Sequence, residues 1–278
     1  MCAGTSTTIS DNSSRPRHAR RVFAARAAPR DAALISPLVS EKLSSLREQV
    51  YSDPRPGEYF ERFHERARRR GPSLVYEIVR VVSSLYAYTA LRARSIDAEH
   101  VPETGAVILA PNHFSYMDHF LIAIFIRRKV RFMAKSQLFR PVAQWIYMQG
   151  GVFPVRRGAR DEEAFVTAET ILTRGGAVAM YPEGGRSRTG TLADRARPGV
   201  GRLVLDTGAA VVPIAIHGSS KIRNWKRLRF PRVRVQFGEP LRFASEPGSS
   251  RERQQEIADA IFAEIQRLYA ALDAPPRS

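Results

Sequence analysis

The sequence predicts an α/β fold: a mainly parallel central sheet flanked by helices, with further helices ahead of it. Three observations predict it. From about residue 94, short apolar runs alternate with helical stretches, the pattern of strand–helix–strand units. The apolar runs are continuous, as strands buried on both faces require. Breakers such as Pro111 and Gly175-Gly176 close individual runs.

Residues 1–35 are rich in Ser, Thr, Arg and Ala and lack hydrophobic periodicity, which predicts a disordered basic arm. The Arg-rich, acid-poor stretch 15–30 also has the look of an organelle transit peptide, without the apolar core of a secretory signal. Residues 36–93 read as N-terminal helices, divided by Asp53-Pro54-Arg55-Pro56-Gly57. Residues 58–70 are highly charged and read as a solvated helix. Residues 73–91 are largely apolar, with Glu77, Arg80, Ser84 and Ala87 forming one polar stripe beside a wide apolar face. That face suits packing on the domain or lying in a lipid headgroup layer, with equal weight.

Residues 94–272 carry the sheet. Strands are expected at 106–110, 130–133, 151–155, 177–181, 210–216 and 233–237. Helices are expected at 162–174, capped by Asp161 and stopped by Gly175-Gly176, and at 199–207 and 251–271.

Of 278 residues, 44 are basic and 27 acidic, a net charge of +17 that calls for an anionic partner. Nucleic acid, a phosphorylated substrate and an anionic membrane all qualify. Five of the basic residues are lysine (Lys42, Lys129, Lys135, Lys221, Lys226); the rest are arginine, which grips phosphate with two parallel donors. The single cysteine, Cys2, excludes an intramolecular disulfide and a cysteine-built zinc site. No run of 18 uncharged apolar residues occurs, so no spanning helix is expected.

Polar groups cluster just past the expected strands, where α/β sheets place their sites. In Asn112-His113-Phe114-Ser115-Tyr116-Met117-Asp118, a histidine at a strand end precedes a carboxylate by five positions. The carboxylate can fix the imidazole tautomer, and the other ring nitrogen can then take a proton from a hydroxyl. The alternative is a surface loop in which Asp118 caps the following helix, and spacing does not exclude His119. Tyr181-Pro182-Glu183-Gly184-Gly185-Arg186-Ser187-Arg188 offers glycines for close backbone approach and arginines for phosphate, or else an ordinary turn. Phe153-Pro154-Val155-Arg156-Arg157 ends another strand in paired arginines, and Val212-Pro213-Ile214-Ala215-Ile216 alone means only core.

In this order and at these separations, the four blocks resemble the glycerolipid acyltransferase family typified by 1-acylglycerol-3-phosphate acyltransferase. The resemblance covers about residues 95–245. Its Asn-His-x4-Asp block is met by Asn112, His113 and Asp118, and Gly-x-Phe/Ile-x-Val-x-Arg by Gly151 to Arg157. Phe-Pro-Glu-Gly-Thr-Arg-Ser is met by Tyr181 to Ser187, and Val-Pro-Val-Ala-Ile by Val212 to Ile216. The resemblance implies an acyltransferase domain at 94–272, with His113 as general base and Asp118 orienting it. Acyl-CoA or acyl-carrier protein would be the donor, with no cofactor, no metal and no acyl-enzyme. A lysophospholipid would be the acceptor, its phosphate held by Lys135, Arg157 and Arg186. Gly184 belongs to the same binding loop, and Glu183 would organise that loop and hold Arg186.

Departures are Gly185 for threonine, Tyr181 for phenylalanine, Arg156 at a position often acidic, and Arg197-Pro198-Gly199 for Lys-x-Gly. They leave the reaction type intact and put the acceptor's identity in question. A membrane-borne substrate further implies peripheral, monotopic attachment to the cytoplasmic face of the cell membrane. Residues 73–91 and 120–126 are the expected contacts, with Arg127, Arg128, Lys129 and Arg131 beside the second. A nucleic-acid-binding protein is the second reading. It rests on Lys221, Arg223, Lys226, Arg227, Arg229, Arg232 and Arg234 interleaved with Trp225 and Phe230. No nucleic-acid motif accompanies that run, and nucleic acid ranks behind lipid.

Overall fold

Residues 107–111 and 210–217 are apolar at nearly every position, and both form strands at the centre of a seven-stranded sheet. The computed structural model describes residues 53–156, 161–187, 189–222 and 230–274. The expected N-terminal arm, the helical reading of residues 36–52, Arg157, Arg188 and the basic run 223–229 lie outside the described residues.

The main elements, in chain order, are α1 (Glu58–Arg69), α2 (Leu74–Thr89), β1 (Arg94–Ile96), β2 (Val107–Pro111), α3 (Asp118–Phe125), β3 (Val130–Lys135) and α4 (Pro141–Gln149). They continue with β4 (Val152–Val155), α5 (Glu162–Thr173), β5 (Ala177–Ala179), α6 (Gly199–Thr207), β6 (Ala210–His217), β7 (Arg234–Phe237) and α7 (Arg251–Asp273). The strand order is β1-β7-β6-β2-β5-β3-β4. Strands β6, β2, β5, β3 and β4 run parallel; β7 pairs antiparallel with β6, and β1 follows β7.

Alternate strand residues supply two cores, because successive side chains point to opposite faces. Val107, Leu109, Val212 and Ile214 face α2 and α3. Ile108, Ala110, Val178 and Val211 face α5, α6 and α7. The caps are local: Asp161 accepts from the Ala164 amide at the start of α5, and Ser250 accepts from the Arg253 amide at the start of α7.

Three expectations change. The charged helix α1 is not simply solvated: Phe60, Phe63 and Ala67 make a narrow buried stripe among its charges, with Phe63 edge-on to Phe139. The run 120–126 does not offer a continuous apolar surface: Leu121, Ile122, Ala123 and Ile126 are buried in the core beneath α2, and Phe120, Ile124 and Phe125 are half-buried. Strand β1 and helix α4 went unforeseen. The first is a three-residue exposed edge, and the second lacks a side-chain cap and buries none of its residues.

Helix α2 divides its surface. Tyr76 and Ala87 enter the core, and the Tyr76 hydroxyl accepts from the Val130 amide at 3.2 Å. Leu74, Ile78, Val81, Val82 and Leu85 remain more than half exposed. Among the described residues, no helix is long and apolar enough to cross a membrane.

Helices α6 and α7 cross so closely that a Cβ on Gly201 would lie 1.9 Å from the Gln254 carbonyl oxygen. Gly201→Ala must therefore push the helices apart. Its expected cost is roughly 1–3 kcal/mol in a denaturant melt, and an unchanged midpoint would show that this crossing is not close-packed.

Candidate active site

Strand β2 ends at Pro111, and the next side chain continues its pairing. Asn112 is fully buried; its Nδ2 donates to the Ile216 carbonyl at 3.1 Å, and its Oδ1 accepts from the Ile216 amide at 2.7 Å. This clamp onto β6 fixes where the following residue, His113, leaves the sheet.

His113 Nδ1 lies 2.9 Å from Asp118 Oδ2. The same oxygen accepts from the amides of Phe114 and Ser115, each at 2.7 Å. A carboxylate oxygen already taking two N–H donors leaves the imidazole to donate as well, so Nδ1 carries the proton and Nε2 keeps its lone pair. Asp118 does not cap the helix. The N-cap position is Met117, without a side-chain cap bond, and the carboxylate turns back onto the loop before it. Asp118 Oδ1 is buried with no hydrogen-bond partner among the described residues.

The 181–187 loop closes over this turn from β5, the neighbour of β2. Glu183 Oε1 accepts from the His113 amide at 3.0 Å, and the Ser187 amide donates to the His113 carbonyl at 2.8 Å. Both backbone groups of His113 are thus held by the second loop. The expectation that Glu183 holds Arg186 gives way here: the carboxylate faces His113, while the Arg186 guanidinium lies over the Tyr116 ring, 4.1 Å from its centroid. Burial pushes the Glu183 carboxyl up to about 7, against the His113 amide bond that favours its charge, and the Asp118 charge adds to the rise.

Tyr181 stacks on the His113 ring at 4.1 Å between centroids, and His119 meets the same ring edge-on at 5.2 Å. His119 therefore lines the site. The Tyr181 hydroxyl is enclosed without a partner among the described residues, and burial followed by the Asp118 charge raises its phenol well above the usual value. Gly184 has φ +68°, and a Cβ there would lie 2.4 Å from Arg197 Cδ. Its contribution is backbone freedom and room for Arg197, a cation at this loop that the sequence reading named only as a departure.

Lys135 is the last residue of β3, in register with Val155 of β4. The adjacency β2-β5-β3-β4 brings the ends of four parallel strands side by side. His113, Asp118, Glu183, Gly184, Arg186 and Lys135 all lie along that edge; Arg157 follows β4, outside the described residues.

Residues 92–217 match the Acyltransferase family model. The chain carries an acyltransferase-family domain. The domain is similar to a chloroplastic 1-acyl-sn-glycerol-3-phosphate acyltransferase of Arabidopsis thaliana, 26% identical over 184 residues, which covers 64% of this chain and 51% of that protein. It is also similar to a glycerol-3-phosphate acyltransferase of Pseudomonas fluorescens, 26% identical over 216 residues, covering 61% of this chain and 26% of that protein. The acyltransferase PlsC of Thermotoga maritima shares the fold, with TM-score 0.58 and 23% identity over 73% of this chain and 81% of that one. The chain spans about half the length of the curated 1-acyl-sn-glycerol-3-phosphate acyltransferases it matches.

The Glu183 shift sets a pH dependence of stability. Its ordinary value is 4.5, so between about pH 4.5 and 7 the folded acyltransferase domain keeps a proton that the unfolded chain releases. Stability from this group is full below 4.5 and is lost as pH rises through about 7. Wild type is expected to lose stability relative to Glu183→Gln across that window, with a slope up to about 1.4 kcal/mol per pH unit. Parallel pH–stability curves for the two proteins would show that Glu183 does not titrate there.

Proposed function

We propose that this protein moves a fatty acyl group from a thioester donor to the free hydroxyl of a lysophospholipid, 1-acylglycerol-3-phosphate, forming phosphatidate. The observation that carries the reading is the buried His113–Asp118 pair with Nε2 left as a base. Nε2 takes the proton of the acceptor hydroxyl as its oxygen attacks the thioester carbonyl carbon. The new C–O bond forms, the C–S bond breaks as the tetrahedral intermediate collapses, and the proton passes from Nε2 to the departing thiolate. Neither cofactor nor metal is invoked. Acyl-CoA and acyl-carrier protein both supply the chemistry required of the donor.

Lys135, Arg186 and Arg157 are the cations proposed for the acceptor's phosphate, holding it so that the hydroxyl meets His113. In support, Arg186 lies on Tyr116, and no acidic partner faces its guanidinium among the described residues. The name of the Arabidopsis relative favours 1-acylglycerol-3-phosphate as the acceptor.

The lipid substrate calls for peripheral attachment, which we assign to the cytoplasmic face of the cell membrane. The exposed stripe Leu74, Ile78, Val81 and Leu85 of α2 supports this, as do the exposed Val142, Trp145 and Ile146 of α4. Arg127 and Lys129 follow α3 but pair with Glu103 and Glu77, so the apolar stripe rather than their charge carries the proposed contact.

Assayed with oleoyl-CoA and lysophosphatidate, His113→Ala should lose about 10²–10⁴-fold in turnover while still folding, with about 1–3 kcal/mol less stability because buried Asp118 loses one of its three donors; full activity in that variant would end the mechanism. A second measurement concerns the membrane. Ile78→Glu with Leu85→Glu should abolish flotation with phosphatidylglycerol vesicles, and undiminished flotation would remove α2 as the contact.

A further inference from the structure

On the other side of His113 from Lys135, a second feature opens at the same sheet edge. The register pairs Pro111 with Ile214, and the Asn112 side chain bonds the backbone of Ile216, so the turn carrying His113 leaves the sheet beside the end of β6. A cavity of about 360 Å³ lies at this strand end, with Thr191, His217, Ser220, Lys221, Tyr269 and Asp273 in its wall. That volume is within the range of small-ligand pockets.

The cavity shares a boundary with the candidate active site. Phe114, next to His113, meets the Tyr269 ring edge-on at 5.6 Å between centroids. Tyr269 in turn contacts His217 at 5.4 Å, and His217 Nε2 lies 3.0 Å from Asp273 Oδ1. The Glu183 charge contributes to raising the Tyr269 phenol, after burial and Asp273. A second link runs through hydroxyls. Ser187, whose amide holds the His113 carbonyl, is 3.1 Å from Thr189 Oγ1, which is 2.7 Å from Thr191 Oγ1 in the cavity wall.

The wall's chemistry is specific in kind. Hydroxyls of Thr191, Ser220 and Tyr269 can donate and accept, which suits amide groups. Lys221 adds a point positive charge at the mouth, which suits phosphate. Resting on the acyl-transfer reading above, two substrates must reach His113 from different directions. Lys135, one of the cations proposed for the acceptor, ends β3 on the side of β2 away from β6, and this cavity lies toward β6.

We propose that the cavity receives the phosphopantetheine arm of the acyl donor, its amides against the hydroxyl wall and its phosphate at Lys221. Coenzyme A and acyl-carrier protein both present this arm. The cavity thus separates donor from acceptor across β2, with the thioester delivered past Phe114 to His113.

The test uses the full chain, with Lys221→Glu and Ser220→Trp as variants. Lysophosphatidate is the acceptor, and oleoyl-CoA and oleoyl-acyl-carrier protein are compared as donors. The donor KM should rise about tenfold or more, the loss of one charge-assisted contact, while the lysophosphatidate KM and the melting temperature stay unchanged. The donor that wild type uses identifies the source of the arm. An unchanged donor KM in both variants, or a rise confined to the lysophosphatidate KM, overturns the proposal. Calorimetric titration with free 4′-phosphopantetheine separates this from the acyl-transfer reading. Binding to wild type that is lost in Ser220→Trp supports the cavity even where no lysophosphatidate is acylated, a result that would overturn only the acceptor. Equal binding to both proteins, or none to wild type, overturns the cavity.

Discussion

One carboxylate oxygen organises the candidate site. Asp118 Oδ2 accepts from the His113 ring and from the amides of Phe114 and Ser115, which curls residues 113–118 into a single conformation. Asp118 is completely buried, and a charge without partners there would be costly. Three N–H donors and its place at the first turn of α3 offset that cost. The arrangement couples the ring to folding: the bonds that let the loop bury a charge also set the tautomer of His113.

The sheet provides the rest. Strand β5 is short, and the chain leaves it early, with the Met180 amide donating to the Leu109 carbonyl. The following loop reaches across to the end of β2, where Glu183 and Ser187 take the two backbone groups of His113. Asn112 ties the same turn to β6 on the other side. His113 is therefore held from both neighbouring strands and from its own helix. Such support from several elements is what keeps a reacting group within catalytic geometry.

Much of this was legible beforehand. Continuous apolar runs announced the central strands, and the five-residue interval from His113 to Asp118 was one of the two readings of that turn, the one in which the two side chains meet. What stayed hidden depends on contacts distant in sequence. The bond between Glu183 and His113 spans 70 residues and follows from β5 lying beside β2, which spacing along the chain does not encode. His119 lines the site because α3 presents it to Tyr181 and Phe132. The buried stripe of α1 was masked by its charges: Phe60, Phe63, His64 and Ala67 are only four of twelve residues in that helix.

The central claim is that Asp118 holds His113 with its proton on Nδ1 and Nε2 bare. Nitrogen-15 NMR of the imidazole reports this directly, through the distinct shifts of protonated and unprotonated ring nitrogens. At a pH where the ring is neutral, wild type should show His113 in the Nδ1–H form, and Asp118→Ala should lose that preference. A wild-type ring carrying its proton on Nε2 would contradict the account, because the nitrogen assigned to take the acceptor's proton would already hold one.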